Sequence, residues 1–213
     1  MQKEIQIEVN TKPYGEFKLY QRKNFTFYPG ITSLVGCNGS GKSTLLKGFI
    51  EPQLRAMGTD YIEWDDRSNG GYHLMDKYLN FDDDIQGVAA MALSSEGERI
   101  VYALGDIFAK MGSGIRRNSG KRFAVLFDAI DSGMSVDEII EIRNIFFDTI
   151  FPDAEKHNTE LYVIIAANNY EWCADSRINN MNITTGKSIE ISSYEDFRTA
   201  ILKSRAIKDK SRE

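Results

Sequence analysis

Residues 36–44 constrain this chain more than any other part of its sequence. They read Gly-Cys-Asn-Gly-Ser-Gly-Lys-Ser-Thr and fit the pattern G-x-x-x-x-G-K-[ST]. The apolar run at residues 31–35 has the length of a buried strand, and Leu45 and Leu46 begin a helical pattern. A strand, a glycine-rich loop and a helix in this order predict a phosphate-binding loop, or P-loop.

This loop is suited to hold the phosphates of ATP or GTP. Its glycines permit a tight turn in which consecutive backbone N–H groups face one anion, and the following helix adds the positive end of its dipole. We expect Lys42 to reach the β- and γ-phosphates and the Ser43 hydroxyl to ligate Mg²⁺. The predicted nucleotide-binding residues are Gly36, Asn38, Gly39, Ser40, Gly41, Lys42, Ser43 and Thr44.

Length, charge and cysteine content argue against a uniformly basic nucleic-acid-binding protein, a disulfide-rich secreted protein and a membrane protein. The 213 residues suit one α/β domain, and the net charge of -5 argues against a uniformly basic surface for nucleic acid. Cys37 and Cys173 give neither metal-ligand spacing nor a disulfide framework, which favours a reducing cytoplasm. No apolar run approaches the roughly 18 residues that cross a bilayer. Because residues 1–10 do not form a signal peptide, we expect a cytoplasmic protein without membrane insertion.

The residues before the P-loop predict an antiparallel β layer. Residues 4–9 alternate polar and apolar side chains, as a half-buried strand does, and residues 17–20 and 25–28 are two more strand candidates. Tyr14 and Tyr20 could stack on an adenine ring. Tyrosines in or beside strands are, however, more often cross-strand packing residues.

The rest of the chain alternates apolar strands with amphipathic helices. This alternation predicts a mainly parallel sheet flanked by helices, with the ligand site at the carboxyl ends of the strands. Strands are predicted at residues 61–64, 123–128 and 161–166, helices from residues 42, 94, 135 and 194, a hairpin around residues 181–191, a loop at 111–121 and a frayed tail after 205.

Asp128 follows an apolar strand and is the expected Walker B acid. It would hold Mg²⁺ directly or through water, while Ser43 holds the ion from the P-loop. An aspartate that leaves a strand can also cap the next turn. The P-loop upstream favours the metal role.

Four motifs, in the right order, resemble those of the ATP-binding-cassette (ABC) ATPases. They are the P-loop at residues 38–45, the run Ser-Ser-Glu-Gly-Glu at 94–98, Asp128 with Asp-Ser-Gly at 131–133, and the strand before Asn168. The resemblance covers roughly residues 31–191. It implies a single P-loop NTPase domain over residues 1–213, with a small helical insert and the signature helix between residues 50 and 110.

The resemblance also implies an ATP-dependent homodimer. Ser95, Gly97 and Glu98 correspond to the signature motif, which contacts the γ-phosphate held by a second subunit, and Ser132 and Gly133 correspond to the D-loop. A helix N-terminus that faces a phosphate is physically sound, because its N–H groups and dipole favour an anion. Ser95 with Glu98 fits a capping box equally well, and a capping box needs no ligand. ATP and Mg²⁺ are the implied cofactors.

The spacing of the motifs narrows the branch of the family. About 50 residues separate Lys42 from Ser95, whereas transporter cassettes insert a larger helical subdomain there and repair or chromosome-organising ATPases a long coiled coil. The chain resembles a compact bacterial or phage relative of the latter heads, whose dimerisation would control a partner such as a nuclease or a DNA-processing machine. The alternatives are an ATP-dependent interaction module without turnover and the ATP-binding subunit of a transporter.

Two catalytic positions depart from the family pattern. Ala129 stands where the family has the glutamate that polarises the attacking water, and Asn168 stands where it has the switch histidine. Without a general base, hydrolysis is expected to fall by roughly 10²–10⁴-fold. The residue that contacts Mg²⁺ from the family's Q-loop is unplaced, and its candidates are Gln86, Asp65 and Asp66.

Two clusters of basic residues could contact DNA. Local patches on an acidic protein can follow a phosphate backbone, although a solvated loop and tail are more common. The clusters are Arg116, Arg117, Lys121 and Arg122, and Lys203, Arg205, Lys208, Lys210 and Arg212.

Replacement of Lys42 by alanine tests the P-loop directly. Lys42→Ala is expected to abolish ATP binding, because the ammonium group is the fixed cation at the phosphates. Titration calorimetry of the variant and of the wild type gives the comparison. Micromolar affinity for ATP in Lys42→Ala would show that the loop does not bind phosphate in this way.

Overall fold

The computed structural model describes residues 3–65, 96–166 and 168–210, and only the backbone of residues 96–104. Its strands are β1 (Ile5–Glu8), β2 (Asn24–Phe27), β3 (Gly30–Val35), β4 (Asp60–Asp65), β5 (Arg122–Asp128), β6 (Glu160–Ala166), β7 (Asn179–Asn182) and β8 (Lys187–Ser188). Helix α1 comprises Lys42–Leu45, the π-helical turn Leu46–Ile50 and Glu51–Ala56, and α2 is Glu96–Arg117. Helix α3 comprises Val136–Ile145, the π-helical turn Phe146–Ile150 and Phe151–Lys156, and α4 is Tyr194–Lys210.

Six strands form one sheet in the order β4-β5-β6-β3-β7-β8. All neighbours from β4 to β7 are parallel, and β8 closes a hairpin antiparallel to β7. Strands β5 and β6 are almost entirely apolar and buried, as strands covered on both faces must be. The predicted α/β class and mainly parallel sheet are confirmed, and the architecture is that of a P-loop NTPase fold.

Strand β6 lies between β3 and β5, and this position fixes the geometry of the site. Strand β3 leads into the P-loop, and β5 ends at Asp128, which is paired in register with Ala166 at the end of β6. Parallel strands bring their carboxyl ends to one edge of a sheet. The P-loop, Asp128 and the residues after Ala166 therefore meet there.

The two core clusters lie on opposite faces of the sheet. Val125 and Phe127 of β5 enter one cluster, whereas Ala124 and Leu126 enter the other, because successive side chains of a strand point to opposite faces. Helices α2 and α3 cover the first face, and α1 covers the second together with β1 and β2. None of the described helices combines the length and apolar character that a bilayer crossing requires.

A separate antiparallel pair, β1 and β2, precedes the P-loop strand, as predicted. Residues 17–20, however, form no strand, and that prediction is wrong. The backbone N–H groups of Leu19 and Tyr20 both donate to the Thr11 carbonyl, at 2.9 and 3.3 Å. This shared acceptor closes a compact loop, and the next N–H, from Gln21, donates to Thr184 in a distant part of the chain.

Helices α1 and α3 pass a proline in the same way. In each helix a π-helical turn stands immediately before the segment that contains Pro52 or Pro152. Proline lacks an N–H group and crowds the preceding turn, and the wider π turn accommodates both effects. Each helix then ends near a left-handed residue, Gly58 or Asn158.

Helix α2 runs to Arg117, so the loop predicted at residues 111–121 is wrong for most of its length. Met111 and Ile115 are fully buried and continue the stripe begun at Ile107. Gly114, whose presence favoured a loop, lets the helix approach the sheet, because a Cβ there would lie 2.3 Å from the ring of Phe123.

A methyl group at Gly114 is expected to destabilise the fold. Gly114→Ala should cost about 1–3 kcal/mol in the free energy of unfolding, because the buried Phe123 ring must move. Gly112→Ala is the matched control, since its nearest neighbour is the flexible Arg116 side chain at 3.4 Å. The control should gain about 0.5–1 kcal/mol from helix propensity. Urea denaturation measures both values, and equal effects would contradict the close packing of α2 on β5.

Candidate functional site

The P-loop turns between β3 and α1 through two left-handed glycines. Gly39 and Gly41 have φ values of 72° and 98°, which residues with a Cβ rarely adopt. Gly36 is required for a different reason, because a Cβ there would lie 2.2 Å from Ile183 Cγ2. The glycines of the motif therefore serve both the turn and the close packing of the loop on the core.

Lys42 folds back over its own loop. Its Nζ donates to the Gly36 carbonyl at 2.8 Å, and only 9% of the residue is exposed. Burial lowers the pKa of Lys42, and the nearby carboxylates of Asp131 and Asp128 oppose this shift. An anion held in the loop would favour the charged ammonium in the same way.

Ser43 and Asp128, the two predicted metal ligands, contact each other. Ser43 Oγ donates to Asp128 Oδ1 at 2.8 Å. Two adjacent hard oxygen donors suit Mg²⁺, which proteins bind through one or two carboxylates together with substrate phosphates. Among the residues described, no three His, Cys, Asp or Glu side chains come together as a metal cluster. The hydroxyl of Ser43 and the carboxylate of Asp128 fit a Mg²⁺ ion held jointly with phosphate oxygens.

Asp65 lies next to Asp128, because β4 and β5 are in register at these two residues. Lys47 of α1 forms an ion pair with Asp65, and its Nζ lies 3.7 Å from Asp128 Oδ2. Asp65 is thus the Q-loop candidate that the structure brings to the edge of the site. The other two candidates, Asp66 and Gln86, lie outside the described residues.

A pocket of about 680 Å³ opens at this edge of the sheet. Its volume is in the range of small-molecule sites. Ala129 and Asn168, the two predicted catalytic positions, line it together with Lys42. The other lining residues are Tyr14, Phe17, Leu19, Asn38, Gly39, Gly41, Ser43, Thr44, Asp128, Ala166 and Lys208.

Ala129 places a methyl group at the edge of the pocket, directly after Asp128. Its φ of 56° is rare for a residue with a Cβ, and such a conformation costs about 1–2 kcal/mol. Its N–H donates to the Ala166 carbonyl at 2.9 Å, which ties the end of β5 to the end of β6. Of the described residues that line the pocket, Asp128 alone carries a carboxylate.

Asp131 fixes the position of Asn168. Its Oδ2 accepts the backbone N–H groups of Asn168 and Asn169, at 2.7 and 2.5 Å. Burial raises the pKa of Asp131, and these two N–H groups oppose the shift. The sequence places Asp131 in the Asp-Ser-Gly run at residues 131–133 but does not predict this contact with Asn168 and Asn169. These partners lie 37 and 38 residues away in the chain.

The two tyrosines that the sequence left open have different environments. Tyr20 is fully buried, its hydroxyl donates to the Gly41 carbonyl at 2.8 Å, and burial raises its pKa. It is a packing residue beneath the P-loop. Tyr14 is 65% exposed, lines the pocket and places its hydroxyl 2.9 Å from Thr44 Oγ1.

Sequence reasoning missed Lys208, which it assigned to a frayed tail. Helix α4 continues to Lys210, and Lys208 Nζ donates to the Asn38 carbonyl in the P-loop at 3.0 Å. The available signal was the spacing of Phe197, Ile201, Ser204 and Lys208, which places all four on one helical face.

The residues predicted to contact a second copy are only partly covered by the structure. Ser95 is outside the described residues, and Gly97 and Glu98 belong to the first turn of α2, where only the backbone is described. Ser132 and Gly133 form the turn between β5 and α3. The Ser132 N–H donates to the Ala129 carbonyl at 3.1 Å, and Gly133 has a φ of 72°.

The basic cluster around residues 116–122 is largely paired with acidic side chains. Arg117 forms an ion pair with Asp60 at 2.6 Å. Arg122 pairs with Glu160 at 3.4 Å, and Arg116 lies 4.0 Å from Asp153. Three of the four basic residues in this cluster therefore have an acidic neighbour, and a contact with DNA stays a prediction.

No family model matches this chain, and no curated protein matches it. Among solved structures, it is similar to a nucleotide-free ATP-binding cassette from an ABC transporter, with 14% identity and a TM-score of 0.45 over 96% of this chain and 97% of that one. It is also similar to a chain in the structure of Drosophila ORC bound to DNA, with 15% identity and a TM-score of 0.36. That match covers 67% of this chain and 33% of the other. Neither likeness is close enough to assign a function.

Proposed function

We propose that this chain binds Mg²⁺–ATP at the carboxyl edge of the sheet and hydrolyses it slowly. The proposal rests on one observation, the meeting of the P-loop lysine, Lys42, with Ser43 and Asp128 at a single pocket. Lys42 and Ser43 begin the helix that follows β3, and Asp128 ends β5, two strands that are separated by β6. Their convergence is therefore a property of the fold and not of one motif.

Each group has a defined role in binding. The backbone N–H groups of the loop and the Lys42 ammonium group hold the phosphates. Ser43 and Asp128 would hold Mg²⁺, which neutralises the charge on the phosphate oxygens and orients them for attack by water. Tyr14, exposed beside Thr44, is the residue placed to contact the base.

Ala129 is the reason to expect slow turnover. A methyl group can neither orient water nor accept its proton. Asn168, held in place by Asp131, can hydrogen-bond to a water molecule or a phosphate but is not a base at neutral pH. The same observation favours the second candidate function, a module that binds ATP and interacts with a partner without turnover.

Restoration of a carboxylate at residue 129 separates these two functions. For a slow ATPase, Ala129→Glu should raise the rate of phosphate release by up to about 10²–10⁴-fold, because it supplies the general base. Both residues carry a Cβ, so the backbone strain at φ 56° is common to them. Single-turnover hydrolysis of ATP measures the effect.

Ala129→Gln is the matched control, because it has the same length without a carboxylate. It should bind ATP and leave the rate unchanged. If Ala129→Glu binds ATP and its rate equals that of Ala129→Gln, the chain is the interaction module. If the wild type binds no ATP, both functions fail.

We also propose that ATP joins two copies of the chain and that the dimer controls a partner, such as a nuclease or a DNA-processing machine. The motif around Ser95 immediately precedes α2, whose N-terminus would face the γ-phosphate of the second copy. Weak hydrolysis would make such a dimer long-lived.

Bulk at the start of α2 should prevent this dimer. Ser95→Arg is expected to leave ATP binding intact and to abolish ATP-dependent dimers, because its side chain would block the opposing phosphate. Ser113→Arg, on the exposed face of the same helix, is the control and should still dimerise. Light scattering at saturating Mg²⁺–ATP gives the masses. A monomeric wild type would exclude the dimer, and a dimeric Ser95→Arg would leave Ser95 as a helix cap.

A further inference from the structure

Helix α4 contacts the P-loop at two points that are one helical turn apart. Ser204 Oγ accepts the Cys37 N–H at 3.3 Å, and Lys208 Nζ donates to the Asn38 carbonyl at 3.0 Å. Residues four apart on a helix lie on the same face. One face of α4 therefore lies along the first half of the loop.

The same face anchors α4 to the strand that carries the loop. Phe197 packs in a cluster with Val35, the last residue of β3, and with Cys173. Ser204 is 1% exposed, and its Oγ also lies 3.5 Å from Thr184 Oγ1. The helix is thus fixed by buried contacts up to the turn that carries Lys208.

Lys208 lies over the loop at the pocket that holds Lys42. Its Nζ is 3.9 Å from the position that a Cβ on Gly39 would occupy. Lys42 Nζ bonds the Gly36 carbonyl and Lys208 Nζ the Asn38 carbonyl, so both ammonium groups lie at the first half of the loop. Both lysines also line the same pocket. A nucleotide whose β- and γ-phosphates reach Lys42 would therefore place them in the pocket that Lys208 lines.

We propose that Lys208 is a second phosphate-binding cation, through which the C-terminal helix responds to the terminal phosphate of the nucleotide. This inference rests on the nucleotide binding proposed above. A charge-assisted hydrogen bond from an ammonium group to an anionic phosphate oxygen is stronger than one to a neutral acceptor such as the Asn38 carbonyl. Loss of that phosphate would weaken the hold on the last turn of α4 while Ser204 keeps the helix docked.

Affinities for ATP and ADP, measured with Mg²⁺ by titration calorimetry, test this role. Lys208→Gln should weaken ATP binding by about 10- to 100-fold and ADP binding by less than about threefold, because one charge-assisted bond to the terminal phosphate is lost. Lys208→Arg retains the charge and should retain the preference for ATP. Lys203→Gln, exposed on the same helix, is the control and should behave as the wild type.

Hydrogen exchange of residues 204–210 supplies a second readout. ATP should slow exchange there more than ADP does in the wild type, and this difference should vanish in Lys208→Gln. If Lys208→Gln binds ATP and ADP as the wild type does while Lys42→Ala binds neither, the inference on Lys208 is overturned and the nucleotide site stands. If the wild type binds neither nucleotide, the proposed function fails and the inference fails with it.

Discussion

The parallel pairing of β6 between β3 and β5 is the constraint on which the rest of the site depends. It aligns the P-loop, the residues after Ala166 and Asp128 along one edge at the spacing of adjacent strands. Strands β5 and β6 can occupy the centre because nearly every residue in them is apolar and buried. Buried apolar side chains of β5 and β6, which do not line the pocket except for Ala166, thus determine where the P-loop and Asp128 lie.

Charges at this edge are arranged as neighbours of opposite sign. Lys47 lies between Asp65 and Asp128. Partial burial lowers the pKa of Lys47, but the hydrogen bond and the negative charge of Asp65 outweigh this effect and raise it. Lys42 carries its charge into a nearly buried position, where the P-loop carbonyl of Gly36 is its partner. A site of this kind holds its cations and carboxylates in place before a ligand arrives, which lowers the cost of reorganisation on binding.

Ala129, directly after Asp128, combines a strained backbone with a small apolar side chain. Ala129 keeps a left-handed backbone because its N–H is bonded to the end of β6 and its carbonyl accepts from Ser132. Strain of this sort persists where surrounding hydrogen bonds determine the conformation, and it is common at functional sites. The backbone conformation of Ala129 is therefore set by these contacts with the surrounding fold and not by its side chain.

The sequence by itself determined the P-loop, the acid at the end of β5 and the α/β class, because each depends on a short run of neighbouring residues with a local periodicity. Only the tertiary structure decided the length of α2, in which Gly114 meets Phe123, and the length of α4, which ends at the P-loop. Only it decided that Asp131 holds Asn168. In each of these cases the partners are far apart in the chain. Local sequence propensity predicts a loop at Gly114 and a tail at Lys208, whereas contacts with distant residues decide their actual structure.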